Sequence, residues 1–280
     1  MKLASKIGLG SVQFGLSYGI SNTVGQTSNE EVSRILDIAF RYGITTIDTA
    51  ASYGTSESII GKNEANRFDI VSKFMPSSFG VSIKEQFENS LIALHVNQLY
   101  GYLAHRPLEL IANKKDWDEV QQLKASNKIA KIGFSLNDPK EYYLLKEANI
   151  IPDIVQVPFN YFDSRFTEIL MELKEKGAET HTRSTFLQGL FFMDKNQLSD
   201  FFRPFFHELE YLQATYKEEL SASLLKYVLK QPFIDKVILG VENANQLKIN
   251  IDGLATASYL KPVTNQFPDA LIMPVHWPRI

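Results

Sequence analysis

The sequence predicts an α/β fold of the (β/α)8 TIM-barrel class, organised as a single domain over residues 1–280. Three observations point there. A chain of 280 residues with 44% hydrophobic content can build one large core, and a barrel of roughly 250 residues uses it better than two small domains. Short apolar or β-branched runs recur about every 20–40 residues and alternate with helical patterns, which is the signature of βαβ units and a parallel sheet. Finally, an acid, a phenol, an amine and an imidazole lie just past the ends of successive runs, and in a parallel barrel such ends face one mouth.

The first run, Lys6 to Ser11, ends in Gly and Ser, where backbone can approach a ligand closely. Ser28 followed by Glu31 is a capping-box signal, and Val32, Ile35, Leu36, Ala39 and Phe40 give the helix that follows an apolar stripe, closed by Gly43. Ile44 to Asp48 is the second strand, Thr49 to Gly54 a turn, Glu57 to Glu64 a short helix, and Phe68 to Val71 a third strand ending in Ser72-Lys73. Val81 to Leu94 is amphipathic through Ile83, Phe87, Leu91 and Leu94. Leu99 to His105 is the fourth strand, stopped by Arg106-Pro107.

A helix marked by Trp117, Val120 and Leu123 leads to a fifth strand, Ile129 to Ser135, and Asp138-Pro139 is an N-cap and first-turn pair for the next helix. Asp153 to Val157, a helix from Phe166 to Lys176, and Glu179 to Arg183 complete seven units. Between Ser184 and Glu218 the rhythm breaks in a phenylalanine-rich insertion, longer than a bare connection, with its own helix expected from Pro204 to Tyr216. A helix from Ser221 to Leu229, a strand from Val237 to Leu239 and a helix from Asn243 to Ile251 finish the eighth unit. The tail from Gly253 to Ile280 carries four prolines and is expected to be a loop packed across the barrel.

Composition narrows the partners. A formal charge of −3 arises from intermixed acids and bases, so neither a basic face for nucleic acid nor an acidic tail is indicated. Small molecules are the expected partners. Cysteine is absent, which removes disulfides, thiolate nucleophiles and cysteine metal ligands and suits a reducing compartment. The N-terminal residues lack the apolar run of a signal peptide, and no stretch reaches the roughly 18 apolar residues of a membrane helix. A cytoplasmic location is the expectation. His95, His105, His181, His207 and His276 show no metal-ligand spacing, and neither a P-loop nor GxGxxG occurs, so no metal site is expected.

Asp48, Tyr53, Lys73 and His105 come from three successive strand ends. A tyrosine is a weak proton donor at neutral pH, but a neighbouring ammonium stabilises its phenolate, and an aspartate holds that ammonium charged and oriented. His105 could then position a carbonyl oxygen, and a hydride arriving at the carbonyl carbon would give an alcohol. Each residue alone also has a plain structural reading: a strand-end cap, a solvated lysine, a half-packed loop tyrosine, a structural histidine. Their matching topological positions favour the shared site.

The segments IGLGSVQFG, GITTIDTAASYG, VSKF, LYGYLAHRP, KIGFS, DIVQVPFNYFD, RSTFLQGL and VILGVENANQLKIN resemble, in this order, the strand-end motifs of the aldo-keto reductase family. The resemblance runs from about Lys6 to Asn250 and is most specific in Asp-x4-Tyr-Gly followed by Lys and His at consecutive strand ends. It implies a barrel that transfers hydride from NADPH, or alternatively NADH, to a small aldehyde or ketone, with Tyr53 as acid/base, Lys73 and Asp48 tuning it and His105 orienting the carbonyl. It also implies that Ser135 and Gln156 hold the nicotinamide carboxamide, that Arg183 stacks where many members place Tyr, and that Ser11 and Ser184 contact the cofactor. Gly240 to Asn250 is similar to the adenosine-phosphate loop, with Gln246 where an Arg often grips the 2′-phosphate, Asn250 at an adenine contact and Glu242 where many relatives have no acid. Val12 stands where many relatives place an aromatic.

Two other readings remain at this stage. The chain could be a cofactor-binding regulatory subunit with the same fold and little turnover. It could also be a Schiff-base lyase acting through Lys73, although the adjacent Asp48 opposes the deprotonated amine this needs.

Overall fold

The computed structural model describes residues 3–261, 263 and 267–278. Ile7–Gly10 (β1), Thr46–Asp48 (β2), Asp69–Phe74 (β3), Leu99–Ala104 (β4), Ile129–Ser135 (β5), Ile154–Pro158 (β6), Glu179–Arg183 (β7) and Lys236–Gly240 (β8) pair in sequence order. Every pairing is parallel, and β8 returns to β1 through the register Gly8 with Ile238 and Gly10 with Gly240. The sheet therefore closes as the expected eight-stranded barrel, with all strand C-termini at one mouth.

Local chemistry starts and stops the outer helices where the sequence signals them. Asp138 closes a full capping box with Glu141 ahead of Pro139–Glu147, which satisfies orphan backbone donors reciprocally. Ser28 accepts from the Glu31 backbone at the start of Asn29–Arg41. The other half of the box expected there does not form, because the Glu31 carboxylate reaches across to the Ala244 N–H at 2.7 Å. The third strand also runs further than its apolar run suggests. Ser72, Lys73 and Phe74 pair with Tyr102, Leu103 and Ala104, so Lys73 sits inside β3 and not beyond it.

Most of the core is a layer between strands and helices, formed by residues such as Ile35, Leu36, Ile47, Phe87, Phe134, Leu145, Phe166 and Leu247. Inside the barrel Val71, Leu103 and Ile154 form a small apolar plug. Near them, at the N-terminal part of β7, Glu179 accepts from Tyr100 Oη at 2.5 Å and pairs with Lys131 and the buried His181.

The insertion after β7 folds as tight turns at Leu187–Phe192, Lys195–Gln197 and Asp200–Phe205, then the helix Phe206–Tyr216. Pro204 belongs to the turn before that helix, so the helix starts two residues later than the sequence suggests. Its phenylalanines make a second core: Phe162 stacks on Phe205 at 4.8 Å, and Phe202 and Phe205 meet Trp277 and Phe267 of the tail at 5.0 and 4.6 Å. The described part of the tail thus packs on the insertion and not, as expected, across the barrel. No helix among the described residues is long and apolar enough to cross a membrane.

Candidate active site

Asp48 ends β2 and Lys73 lies in β3 beside it, and both side chains are almost wholly buried. Lys73 Nζ donates to Asp48 Oδ2 at 2.6 Å and to the Thr49 carbonyl at 2.9 Å, and lies 3.4 Å from Tyr53 Oη. Burial alone would push the ammonium down, but Asp48 and Tyr53 outweigh it, so Lys73 is held above the ordinary lysine value. The other Asp48 oxygen accepts from Gln156 Nε2 at 2.7 Å. Both carboxylate oxygens are thereby fixed, and Lys73 can only point at Tyr53.

Tyr53 is held from behind by two glycines. A Cβ on Gly15 would lie 1.8 Å from the Tyr53 carbonyl oxygen, and one on Gly54, whose φ is +57°, would lie 2.5 Å from the Gly15 oxygen. The loop after β1 and the turn after β2 can approach this closely only because both residues lack a side chain. Ser56 ties the same loops together by donating to Ser11 O at 2.9 Å and Ser11 Oγ at 2.8 Å.

His105 follows β4 and meets the Tyr53 ring edge to face, with centroids 5.8 Å apart. Burial pushes its imidazole down to about 3, and the cations Lys73, Arg183 and Arg106 add to the effect, so the ring is neutral. Ser52 Oγ lies 3.0 Å from His105 Nδ1. When that hydroxyl donates, the ring proton resides on Nε2.

These groups open into a cavity of about 730 Å3. Asp48, Tyr53, His105, Ser135 and Asn137 line one end, while Gly240, Glu242, Gln246 and Asn250 line another. Between them lie Ser11, Arg183 and Ser184, with Phe186, Gln188 and Phe192 of the insertion. Arg183 donates to Leu136 O at 3.1 Å and Asn137 Oδ1 at 2.6 Å and has no carboxylate partner among the described residues. Ser184, Leu187 and Gln188 all have positive φ, and backbone held in this sparsely populated region is concentrated at ligand sites.

The donor set suits a large polar ligand. Two buried atoms of cavity-lining residues, Gln13 Oε1 and Thr185 Oγ1, have no hydrogen-bond partner among the described residues, and such orphaned groups are costly unless something fills them. A Cβ on Gly240 would lie 3.0 Å from Gln13 Nε2, so a side chain at the end of β8 would crowd the Gln13 amide. Among the described residues no cluster of His, Cys, Asp and Glu could hold a metal.

The sequence profile described as the Aldo/keto reductase family matches residues 6–261. The chain belongs to the aldo/keto reductase family. It is similar to aldo-keto reductase YhdN of Bacillus subtilis strain 168, at 27% identity over 285 residues that span 88% of this chain and 83% of that one. Among solved structures it resembles PA4992 of Pseudomonas aeruginosa, with a TM-score of 0.67 and 21% identity over 90% of each chain. It also resembles the holo form of aldo-keto reductase AKR11C1 from Bacillus halodurans, with a TM-score of 0.67 and 20% identity over 91% of this chain and 88% of that one. At these identities the two structures bear on the barrel alone. Family membership makes the chain an oxidoreductase of small carbonyl compounds.

Within this aldo-keto reductase, ten of the twelve residues singled out by sequence line the cavity, and two do not. Lys73 stands behind Asp48 and Tyr53, and Gln156, wholly buried, has its amide donor engaged with Asp48. Gln156 thus acts on the acid before it acts on any ligand. Sequence reasoning gave no role to Gln13, Tyr18, Ser52, Thr185 or Gln188, all of which touch the cavity or its histidine. No described residue of the tail or of the segment after His105 lines the cavity, whereas Phe186, Gln188, Gly189 and Phe192 of the insertion do.

Proposed function

We propose that this aldo-keto reductase reduces an aldehyde or ketone to the alcohol with a reduced nicotinamide dinucleotide as hydride donor and Tyr53 as proton donor. The barrel, its insertion and its tail act as one domain in this reading. The observation that carries it is the position of Lys73 Nζ, 2.6 Å from Asp48 Oδ2 and 3.4 Å from Tyr53 Oη in a buried setting.

When bound, the reduced dinucleotide supplies a hydride to the carbonyl carbon. Tyr53 Oη gives its proton to the carbonyl oxygen, and the phenolate left behind faces the Lys73 ammonium. Asp48 keeps that ammonium charged and aimed, and Gln156 keeps Asp48 in place. His105, neutral and with its proton on Nε2, offers a hydrogen bond to the same carbonyl oxygen without competing to protonate it. Ser135 and Asn137 would hold the carboxamide, Arg183 would lie against the nicotinamide ring, and Ser11, Ser184 and Thr185 offer hydroxyls along the span. Gly240, Gln246 and Asn250 would receive the adenosine end. The expectation of NADPH rests on the family resemblance, and in this last region Gln246 stands where an Arg often grips the 2′-phosphate.

The test is reduction of an activated aldehyde such as nitrobenzaldehyde, followed by loss of reduced-nicotinamide absorbance with each cofactor. Tyr53→Phe keeps the ring's packing but removes the transferable proton, so kcat should fall by about 10²–10⁴-fold while cofactor binding holds. A variant with wild-type kcat at saturating cofactor would remove the mechanism. Cofactor binding with no turnover across a broad carbonyl panel would favour the regulatory-subunit reading.

A further inference from the structure

One part of the cavity wall, formed by Glu242, Gln246 and Asn250, gathers around the helix Ala244–Asp252. A helix N-terminus attracts anions because its first backbone N–H groups have no intrahelical acceptor. Here carboxylates and amides from the chain already occupy that position. Glu31 Oε1 accepts the Ala244 N–H at 2.7 Å, Asn243 Oδ1 accepts the Gln246 N–H at 2.9 Å, and Gln246 Oε1 accepts the Glu242 N–H at 2.8 Å. Gln246 Nε2 in turn lies 3.4 Å from Glu242 Oε2. Two carboxylates thus converge on the same helix turn.

Cations at this end are engaged elsewhere. Arg34 meets the other Glu31 oxygen at 3.2 Å, but its side chain is 72% exposed, so solvent and salt screen it. Lys248 pairs with Asp252 further along the helix. Arg183, the one Lys or Arg among the described residues lining the cavity, is tied to Leu136 and Asn137 toward the other end.

A separate observation marks this end as a ligand site. Asn250 is only 5% exposed, lines the cavity and makes no side-chain hydrogen bond among the described residues. That amide opens onto the cavity with its donors and acceptor unengaged, so a ligand there can meet it. The ligand it meets must carry hydrogen-bonding groups, yet the carboxylates beside it repel an added dianion.

We propose that this site selects a dinucleotide whose adenosine ribose carries a free 2′-hydroxyl, taking NADH in preference to NADPH, with Glu242 and Glu31 as the discriminating groups. The inference rests on the cofactor reading above. A carboxylate accepts a hydroxyl hydrogen bond readily, whereas a 2′-phosphate placed beside two carboxylates and no free cation meets like-charge repulsion. Glu31 is 23% exposed and Glu242 only partly buried, so the repulsion is partly screened and should weaken further as salt rises.

The experiment is direct binding by calorimetry, with NADH and NADPH and with the fragments 5′-AMP and 2′,5′-ADP, on wild type and on Glu242→Gln, Glu31→Gln and Gln246→Arg. The conservative amides keep an acceptor oxygen for the Ala244 and Gln246 contacts, so they test charge and not packing. Wild type should bind NADH about tenfold or more tighter than NADPH, and 5′-AMP tighter than 2′,5′-ADP. Each amide variant should bring the ratio toward one, and Gln246→Arg should favour NADPH because a guanidinium can pair bidentately with the 2′-phosphate. NADPH binding as tightly as NADH to wild type, or a ratio unmoved in all three variants, would overturn the assignment. Binding of neither dinucleotide, with the fold intact by circular dichroism, would overturn it together with the cofactor reading.

Discussion

Lys73 Nζ lies between Asp48 Oδ2 at 2.6 Å and Tyr53 Oη at 3.4 Å, with no more than a few per cent of either charged side chain open to solvent. A buried ion pair adds little net stability when intact but leaves a costly bare charge when one partner is removed. Asp48→Asn should therefore destabilise the protein by about 3–5 kcal/mol. Lys73→Met removes the ammonium and leaves Asp48 with only its Gln156 bond, so it should also lower kcat for carbonyl reduction, by about 10²-fold or more. Because the Lys73 value is raised in the fold, its stabilising contribution is complete below the unfolded lysine value of about 10.4 and is lost as pH rises through the higher folded value. Denaturant melts of wild type and Asp48→Asn at neutral pH, with steady-state rates for Lys73→Met, check both points. An Asp48→Asn protein as stable as wild type would mean that the pair is not held as described.

The neutrality of His105 has its own signature. Its folded value of about 3 lies below the unfolded value of about 6.5. The unfolded chain therefore takes up this proton first as pH falls. Stability linked to His105 is present above about 6.5 and is eroded between about 6.5 and 3. Ring nitrogen and carbon shifts measured by NMR should stay flat for His105 from about pH 7.5 to 5. Ser52→Ala removes the contact to Nδ1 and should release the preference for the Nε2 tautomer. A His105 midpoint near the ordinary histidine value would contradict the burial and the three cations assigned to it.

How much of this was legible in the sequence depended on whether the signal was local. Strands β5 and β7 have the boundaries that their residue patterns indicate, and Asp138-Pro139 caps its helix as expected, because alternation and capping act within a few residues. Asp48, Tyr53 and His105 converge because each lies at a strand end, and parallel topology brings strand ends together. Contacts across long separations carried no such signal. Glu31 reads as half of a local capping box, yet it bonds Ala244 across the closure between the first and eighth units. Gln156 reads as a ligand-facing amide, yet Asp48 takes its donor. The tail's prolines suggested a loop packed across the barrel, whereas its Phe267 and Trp277 found the second aromatic core that the insertion builds beside the barrel.

Gly15 offers a test of how finely Tyr53 must be placed. It lies far from Tyr53 in sequence, yet a Cβ added to it would fall 1.8 Å from the Tyr53 oxygen, 2.6 Å from the Ser56 nitrogen and 2.9 Å from the Tyr53 carbonyl carbon. All three are backbone atoms, so no rotamer change relieves the clash, and the turn carrying Tyr53 has to move. A displacement of about 1 Å at a reacting group can cost about 10²-fold in rate, and overpacking of this kind costs about 1–3 kcal/mol in stability. Gly15→Ala should show both losses together. Gly25→Ala is the control, because that residue has φ +88° but nothing within 4 Å of its added Cβ. It should lose about 1 kcal/mol from backbone strain alone and retain kcat. Thermal melts and saturating-cofactor rates on the two variants separate the cases. Equal kcat in Gly15→Ala and wild type would show that the close approach of these loops does not set the position of the proton donor.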